Sequence, residues 1–437
     1  MLAYYLDLAL RSLKRSPGLT ALMVLTIAFG VAASMTAWSV LRAVSGDPIP
    51  WKSAQLYVPQ IDMWGPSAQA NNPDLGTEPP DALDYNDALA LMHDHRATLQ
   101  SAMYQIGPSV VPADRARHPL TAGGHAVFSE FFQMLDVPFQ YGGGWSAADD
   151  EQRAPVVVIG SKLNEKVFDG GNSVGKMLNV DGHDYRVVGV LKDWNPQPRF
   201  YDVVDAHGFV SDAEDLFLPF NTAIAGGLPN QGNTNCNDTP EAGFTGLQRS
   251  SCVWIAYMAQ LDDAASASGY LNYLKGFARA RYPNWAPNVR LRNLPDWLDR
   301  EHVVPSDTKV SLLIALGLLL VCLVNTAGLL LAKFLRRSPE IGVRRALGAP
   351  RAAIYAQFLT EGAVIGLAGG VLGLGLTGVG VASVGLVLPR DIASLARLDV
   401  PLLATTLVVA VLASLSAALY PTIRASRVQP AWQLKSN

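Results

Sequence analysis

One short segment of this chain carries a pattern that could bind phosphate. Gly170, Gly175 and Lys176 match the Gly-x4-Gly-Lys part of a phosphate-binding loop, in which backbone amides and a lysine surround the phosphates. The next residue is Met177, where that chemistry requires a Ser or Thr to hold magnesium, and a strand pattern follows where a helix is needed. We therefore interpret Lys176 as the first residue of a strand and predict no cofactor site in this chain.

Histidines and clustered carboxylates are the other candidates for catalysis or metal binding. The histidines are His93, His95, His118, His125, His183, His207 and His302. His93 and His95 alternate within a predicted helix and so face different sides, while the other five lie near turn signals. No His-Glu-x-x-His zinc pattern and no nucleophile elbow occurs, and Asp149–Glu151 is an acidic run typical of a solvated loop. We therefore predict no catalytic residue and no metal site.

Cys236 and Cys252 are candidates for a disulfide. They are separated by 15 residues rich in Gly, Asn, Thr and Pro, a loop that a covalent link would stabilise by about 3 kcal/mol. Two free thiols are the alternative, and a metal pair lacks further ligands nearby. Cys322 lies within an apolar segment and is interpreted as a small apolar side chain.

Four apolar segments must position these residues relative to a membrane. Each is long enough at 1.5 Å per residue to cross roughly 30 Å of hydrocarbon, and a backbone in lipid must form a helix. The predicted fold class is therefore an α-helical membrane protein with four transmembrane helices. The first segment is too long for a signal peptide, and no small-x-small cleavage site follows it.

Charge sets the orientation of these helices. The short pieces carry twelve basic residues against Asp7, Glu340 and Glu361, whereas 46–309 carries 19 basic and 32 acidic residues, a net charge of −13. The excess of Lys and Arg places the short pieces in the cytoplasm. The predicted order is a cytoplasmic amphipathic helix (1–18, with a frayed tail as the alternative), transmembrane helix 1 (19–45), an extracytoplasmic domain (46–309), transmembrane helix 2 (310–332), a cytoplasmic loop (333–361), transmembrane helix 3 (362–388), a short external loop (389–400), transmembrane helix 4 (401–423) and a cytoplasmic tail (424–437).

The extracytoplasmic domain combines helix and hairpin patterns. Residues 176–190 alternate around Asp181-Gly182, which strongly predicts a hairpin. Helices are predicted at 82–95, 128–135, 161–168 and 270–282, and strands at 155–159, 253–261 and 289–294. We expect a large α+β domain with two lobes, the second inserted around residues 130–250.

The third apolar segment is crowded with glycine. Gly366, Gly369, Gly370 and Gly373 form two small-x-x-x-small pairs that let helices approach closely, although a flexible hinge is an equal interpretation. The polar side chains at mid-membrane depth are Asn325 and small hydroxyls, whereas secondary transporters and channels bury ionisable groups there. This composition argues against a polar pathway for a solute.

The inner loop contains a helix–glycine–proline–helix design. Pro339 and Glu340 are good residues for a helix start, Gly348 for its end, and Pro350 for the start of the next helix. Arg344 and Arg345 are expected to be exposed donors at the membrane face. Topology-setting charge alone would explain these arginines, but it does not explain the design of the loop.

Several motifs resemble one family along nearly the whole chain. The inner loop, the glycine-rich span and the segment at 420–430 resemble the FtsX-type permease domain of MacB-like ABC transporters. The external domain resembles the periplasmic core domain of that family at Phe128–Leu135, Pro155–Gly160, Val174–Lys176, Val180–Gly182 and Tyr185–Val190. The ending at 431–435 departs from the usual acidic-alanine-leucine pattern, and the loop with Cys236 and Cys252 matches no family signature.

The resemblance implies a mechanism in which ATP hydrolysis is transmitted mechanically. It implies a bacterial inner-membrane permease with its large domain in the periplasm, working beside a cytoplasmic ABC ATPase dimer that binds ATP and Mg. About nineteen residues precede the first span, so we expect the ATPase to be a separate chain. It also implies a coupling helix that contacts the ATPase, formed by Glu340, Ile341, Gly342, Val343, Arg344, Arg345, Ala346, Leu347 and Gly348.

Several partners and roles remain open at this point. The implied partners are a second permease copy or a sister permease, and in some systems a periplasmic adaptor protein and an outer-membrane channel. The favoured function is efflux or extraction of a substrate on the outer side of the inner membrane. The alternative is an FtsX-like regulatory permease acting on an external hydrolase or sensor kinase, and an unrelated membrane-anchored enzyme ranks third. No nucleic-acid partner is expected, and the substrate is not identified.

Overall fold

A computed structural model describes residues 2–66, 68, 78–113, 118–206, 212–304, 306–386 and 399–426. The chain divides into two compact units. Residues 1–45 and 304–437 form the membrane unit, and residues 46–303 form the inserted domain. The predicted external loop at 389–400 and the C-terminal tail lie mostly outside the described residues, as do Arg427, Lys435 and His207.

The described residues of the membrane unit are helical except at short connections between the helices. A 14-residue amphipathic helix, α1, is followed by four helices long and apolar enough to cross a membrane, which confirms the predicted fold class. The helices are α1 (Leu2–Arg15), α2 (Pro17–Ser45), α12 (Ser306–Arg336), α13 (Ser338–Ala346), α14 (Arg351–Ser383) and α15 (Val400–Ser426), with a 3-10 turn at Val384–Leu386. Most of the segment predicted as the loop 333–361 is helical, because α12 and α14 extend beyond the apolar stretches.

The inserted domain is built on one mixed sheet. Its strands are β1 (Leu56–Ile61), β2 (Leu99–Ile106), β3 (Ser109–Val111), β4 (Leu120–Thr121), β5 (Gly124–Val127), β6 (Phe139–Gly142), β7 (Val156–Ile159), β8 (Met177–Val180), β9 (His183–Leu191), β10 (Leu216–Pro219), β11 (Ala256–Gln260) and β12 (Val289–Asn293). Their order is β12-β1-β11-β2-β5-β10-β7-β9-β8-β3-β4, with β6 also pairing with β9. The β5–β10 and β7–β9 pairs are parallel and the remaining pairs are antiparallel.

The sheet is continuous across the segment around 130–250, where a second lobe is expected, and the division into two lobes stays a prediction. Strand β5 pairs with β2 on one side and with β10 on the other, so the backbone hydrogen bonds run unbroken from one half of the domain to the other. The predicted hairpin is present: β8 and β9 pair antiparallel, with Asp181 and Gly182 both at positive φ (50° and 86°) as a tight hairpin turn requires.

Apolar cores lie on both faces of the sheet because successive strand residues point to opposite sides. In β7, Val157 and Ile159 join one core, whereas Val156 and Val158 join the other. Short helices cover these cores: α3 (Tyr85–Asp94), α4 (Glu130–Met134), α5 (Ala147–Glu151), α6 (Ser161–Phe168), α7 (Val203–Ala206), α8 (Phe220–Ala225), α9 (Phe244–Arg249), α10 (Ala264–Arg281) and α11 (Leu294–Arg300), with a 3-10 turn at Ser53–Gln55.

Candidate functional site

The strongest candidate site is the short helix α13, between the second and third spans. Pro339 lies in its first turn, where the missing N–H costs nothing. Gly348 follows its end with φ of 94°, and its amide donates to the carbonyl of Arg345 at 3.1 Å. Pro350 then precedes α14. Helix α13 is therefore closed at both ends by residues suited to those positions.

A buried charged cluster forms beside α13 around Glu361. The Glu361 carboxylate is fully buried and pairs with the ammonium group of Lys333, on α12. The hydroxyl of Ser12, on α1, donates to Glu361 Oε1 at 2.8 Å. Arg337 donates to Ser12 Oγ at 2.6 Å and lies 3.5 Å from Glu361 Oε2. Glu361 thus ties together α1, α12 and α14 and the residue that precedes α13.

The same cluster extends onto α13 itself. Arg337 lies 3.2 Å from Glu340 Oε2, and Arg344 donates to Glu340 Oε1 at 2.9 Å. Arg344 also donates to the side-chain oxygen of Gln357, on α14, at 2.9 Å. We expected Arg344 to be an exposed donor, but two fixed acceptors hold it instead. Glu340 and Arg344 therefore anchor the helix to its neighbours.

An apolar contact holds α13 on the same side. Ile341 is buried in a core with Ile354 and Phe358 of α14 and Phe334 of α12. The rings of Phe334 and Phe358 stack with their centroids 3.9 Å apart. Polar and apolar contacts together fix the position of α13 on α12 and α14.

The opposite side of α13 presents apolar side chains to solvent. Val343 is 59% exposed and Leu347 83% exposed, and Ala346 between them is also exposed. Gly342 is buried, and Arg345 is partly exposed and has an interaction of its own. Exposed apolar side chains on a short anchored helix are typical of a surface that binds another protein.

The four glycines of the third span divide between two neighbours. A Cβ on Gly366 would lie 2.8 Å from Ser414 Cβ, and one on Gly370 would lie 3.0 Å from Ala410 Cβ, both on α15. A Cβ on Gly369 would lie 2.9 Å from a methyl of Ile27, and Gly373 also faces α2. Both small-x-x-x-small pairs therefore lie at helix contacts.

In the inserted domain, the structure places the remaining sequence candidates apart from one another. Cys236 and Cys252 form a disulfide. Lys176 immediately precedes β8, and its ammonium group lies 5.1 Å from the centre of the Phe168 ring. A strand follows this lysine, so the loop lacks the helix N-terminus on which phosphate binding depends.

Two histidines lie in positions that the sequence pattern did not indicate. His93 lies in the last turn of α3, but His95 lies beyond that helix, in a left-handed conformation that ends it, and pairs with Glu130 at 2.7 Å. His125 was expected near a turn but lies within β5, fully buried. Its Nε2 is 2.7 Å from Asp202, and its Nδ1 is 2.9 Å from Glu214.

The environment of His125 is an ionic cluster that sequence reasoning missed. Burial alone would lower its pKa, but Glu214 and Asp202 outweigh this effect and raise the pKa to about 9. Arg199 pairs with Glu214 at 2.7 Å. The two carboxylates face opposite nitrogens of the imidazole ring, so this arrangement crosslinks the sheet to the 199–214 segment and does not converge on one ion. The partners lie 77 or more residues away, and no local pattern connects them.

Comparisons with known proteins agree with this architecture. Residues 20–269 match the family described as MacB-like periplasmic core domain, and residues 312–430 match the family described as FtsX-like permease C-terminal. The macrolide export ATP-binding/permease protein MacB of Rhodospirillum rubrum is 26% identical over 383 residues, which cover 86% of this chain and 52% of that protein. This chain therefore spans about half the length of that relative.

A second relative has a more similar length. The uncharacterized ABC transporter permease YvrN of Bacillus subtilis is 24% identical over 330 residues, covering 74% of this chain and 72% of that protein. Among solved structures, the periplasmic region of MacB from Actinobacillus actinomycetemcomitans aligns with a TM-score of 0.37 at 13% identity, covering 59% of this chain and 96% of that one.

Four membrane-spanning helices, an inserted mixed α and β domain and an anchored inner helix define a multi-pass permease of the ABC transporter type. The chain belongs to the family of MacB-like permeases that combine a periplasmic core domain with an FtsX-like C-terminal domain. It is accordingly a protein of the bacterial inner membrane, with the inserted domain in the periplasm.

Proposed function

We propose that this chain is the permease subunit of a mechanically coupled ABC transporter. A separate cytoplasmic ATPase dimer, which holds ATP and its magnesium ion, docks on α13. ATP-driven closure of that dimer displaces α13 together with α12 and α14, and so moves the periplasmic domain. This motion drives efflux or extraction of a substrate on the outer side of the inner membrane. The substrate needs no path through the spans.

The observation that carries this proposal is the two-sided character of α13. One side is fixed to α12 and α14 by Ile341 and by the cluster around Glu361. The other side exposes Val343 and Leu347, which suit a protein partner. A force applied to the exposed side of a helix held in this way is transmitted directly to α12 and α14.

The composition of the spans supports the same proposal. In the described parts of α2, α12, α14 and α15, charged side chains lie towards the helix ends. Lys333 and Glu361 belong to the inner cluster, and Arg42 pairs with Asp399 at 2.8 Å near the outer end. Proton and ion relays use charged groups at mid-membrane depth, so transmission of movement fits these helices better.

Copurification with the companion ATPase tests the docking surface. The double variant Val343→Glu/Leu347→Glu places two charges on the exposed side of α13. We expect at least tenfold less of the nucleotide-hydrolysing subunit to copurify with this variant. Charges at the centre of an interface lose their hydration and gain no partner in exchange. Ala352→Glu is the matched control: it adds a charge at an exposed position of the same inner loop, outside α13, and should retain the subunit.

Two results would contradict the proposal. One is purification of the unchanged chain from native membranes without any nucleotide-hydrolysing subunit. The other is equal retention of that subunit in the double variant and in the control. The same preparation shows whether a sister permease, a periplasmic adaptor or an outer-membrane channel belongs to the complex.

A further inference from the structure

The end of α3 brings one methionine and two histidines to a single cleft of the periplasmic domain. Met92 and His93 lie in the last turn of α3, and His95 follows in the left-handed conformation that ends the helix. In an unbroken helix the two histidines would be roughly 200° apart around the axis, at 3.6 residues per turn. The left-handed residue changes the direction of the chain, and all three side chains line the same cleft.

Each histidine has a carboxylate beside one of its ring nitrogens. His95 Nε2 lies 2.7 Å from Glu130 Oε1, and His93 Nδ1 lies 3.7 Å from Asp94 Oδ1. A carboxylate beside one nitrogen favours the proton there and leaves the lone pair of the other nitrogen for a metal ion. Within the described residues, His95 Nδ1 and His93 Nε2 have no hydrogen-bond partner. Two imidazole lone pairs are therefore available at the cleft.

The two carboxylates are themselves held in place. Glu130 Oε2 accepts a hydrogen bond from the backbone amide of Gln100 at 2.7 Å, and Asp94 Oδ2 accepts one from the hydroxyl of Tyr273 at 2.6 Å. The buried side chain of Gln100 also donates to the carbonyl of Met92 at 2.9 Å, which fixes the end of α3. Fixed outer partners of this kind orient the ligands in metal sites.

The charge and size of the cleft favour a small, exchangeable cation. Its described lining residues include Glu130, Asp150 and Glu151 and contain no Lys or Arg. The negative end of the α3 dipole lies at the same place. The cleft has a volume of about 510 Å³, far more than one ion occupies, so an ion bound there can exchange with the surrounding water.

The types of ligand at the cleft select the metal. Within the described residues, no three His, Cys, Asp or Glu side chains are placed to hold a metal ion by themselves. A site at this cleft therefore needs the thioether of Met92 as its third ligand. A thioether is a soft ligand that favours Cu(I), and imidazole also suits copper, whereas Mg, Ca and Mn prefer oxygen ligands.

We propose that this cleft binds one Cu(I) ion through Met92 Sδ, His93 Nε2 and His95 Nδ1. Glu130 and Asp94 are the outer partners that orient the two imidazole rings. The sequence did not indicate this site, because two histidines in an unbroken helix would face different sides. The inference goes beyond the proposed function, since binding of the ion requires neither ATP nor the companion ATPase.

Competition with the chromogenic chelator bicinchoninate tests the site. The protein is the full-length chain in detergent, with Cys322→Ser to remove the free cysteine and with an affinity tag that contains no histidine. In the presence of ascorbate, we expect it to withdraw one Cu(I) ion per chain from the chelator. His95→Gln should weaken this binding by roughly tenfold or more. His183→Gln is the matched control, because His183 is exposed and lies outside the cleft, and it should bind Cu(I) as the parent chain does.

Substitution of Met92 tests the soft ligand. Met92→Leu keeps an apolar side chain of similar volume, so the fold should tolerate it, but it removes the thioether and should weaken Cu(I) binding by roughly tenfold or more. Met177→Leu is the matched control, because Met177 is also accessible to solvent but lies outside the cleft. Size-exclusion chromatography and circular dichroism check that each variant is folded. Failure of the parent chain to withdraw Cu(I), or unchanged affinity in folded His95→Gln or Met92→Leu, would overturn the inference.

Discussion

At the residue scale, the decisive interactions join positions that are far apart in the chain. The Glu361 carboxylate accepts a hydrogen bond from Ser12, 349 residues away in the sequence, and pairs with Lys333, which lies on a different helix. No local sequence pattern indicates either contact. The sequence does reveal the features that local chemistry determines. Pro339 and Gly348 bound α13 as predicted, because helix starts and ends depend on a few adjacent residues.

The same distinction explains why the His125 cluster could not be predicted. Asp202 and Glu214 reach the imidazole only because β5 and β10 are neighbours in the sheet. Burial alone would raise the pKa of both carboxyls, but the imidazole of His125 and the charge of Arg199 outweigh burial and lower both pKa values. The cluster therefore stabilises the fold most when His125 is protonated and both carboxyls are ionised.

This cluster predicts how stability depends on pH. A histidine whose folded pKa is about 9, above the unfolded value of roughly 6.5, adds stability that is complete below the unfolded value and is lost as pH rises through 9. The two carboxyls add stability that is complete above their unfolded pKa values. This stability is lost as pH falls through their lowered pKa values in the folded state. In the intact chain, the free energy of unfolding should fall between pH 7 and pH 9 by on the order of 2 to 3 kcal/mol.

Urea unfolding followed by tryptophan fluorescence measures this change. His125→Gln should be less stable at pH 7 and should lose most of the slope between pH 7 and pH 9, since a neutral amide cannot titrate. His93→Gln is the matched control, because His93 is 91% exposed and should leave the slope unchanged. An unchanged slope in His125→Gln would show that the cluster does not stabilise the fold.

At the element scale, the sequence correctly predicts individual helices and hairpins, which depend on local patterns. Hydropathy revealed the four spans, and Asp181-Gly182 revealed the β8–β9 hairpin. The order of the strands was not predicted, because it depends on which apolar faces pair over long distances. The sequence likewise left open whether the glycines of α14 pack or hinge, and the structure places the two pairs against α15 and α2.

These contacts predict different effects for two substitutions in the same helix. A Cβ on Gly366 would lie 2.9 Å from the backbone of Val411, so Gly366→Ala must push α14 and α15 apart. Gly375 faces open space, and Gly375→Ala should be neutral. Thermal unfolding in detergent should show a loss of about 1–3 kcal/mol in Gly366→Ala. Equal stability of the two variants would mean that the α14–α15 contact is looser than the structure shows.

At the scale of the whole molecule, the charge asymmetry and the order of the motifs along the chain predict the architecture. The net charge of −13 over 46–309 reflects the periplasmic location of the inserted domain, and the motifs agree with the family matches over 20–269 and 312–430. The partners and the substrate depend on surfaces outside this chain, so its sequence does not determine them. The central claim is therefore about transmission from α13 to the periplasm.

Fluorescence energy transfer between the periplasmic domain and the bilayer tests that claim most directly. A donor dye on Ser268→Cys, an exposed position of α10, in the Cys322→Ser background reports on an acceptor lipid in vesicles that contain the companion ATPase. We predict that ATP supplied to the cytoplasmic side changes the transfer efficiency. Glu361→Gln should abolish that change while ATP hydrolysis continues. An efficiency that stays constant in the unsubstituted protein during ATP hydrolysis would contradict the account.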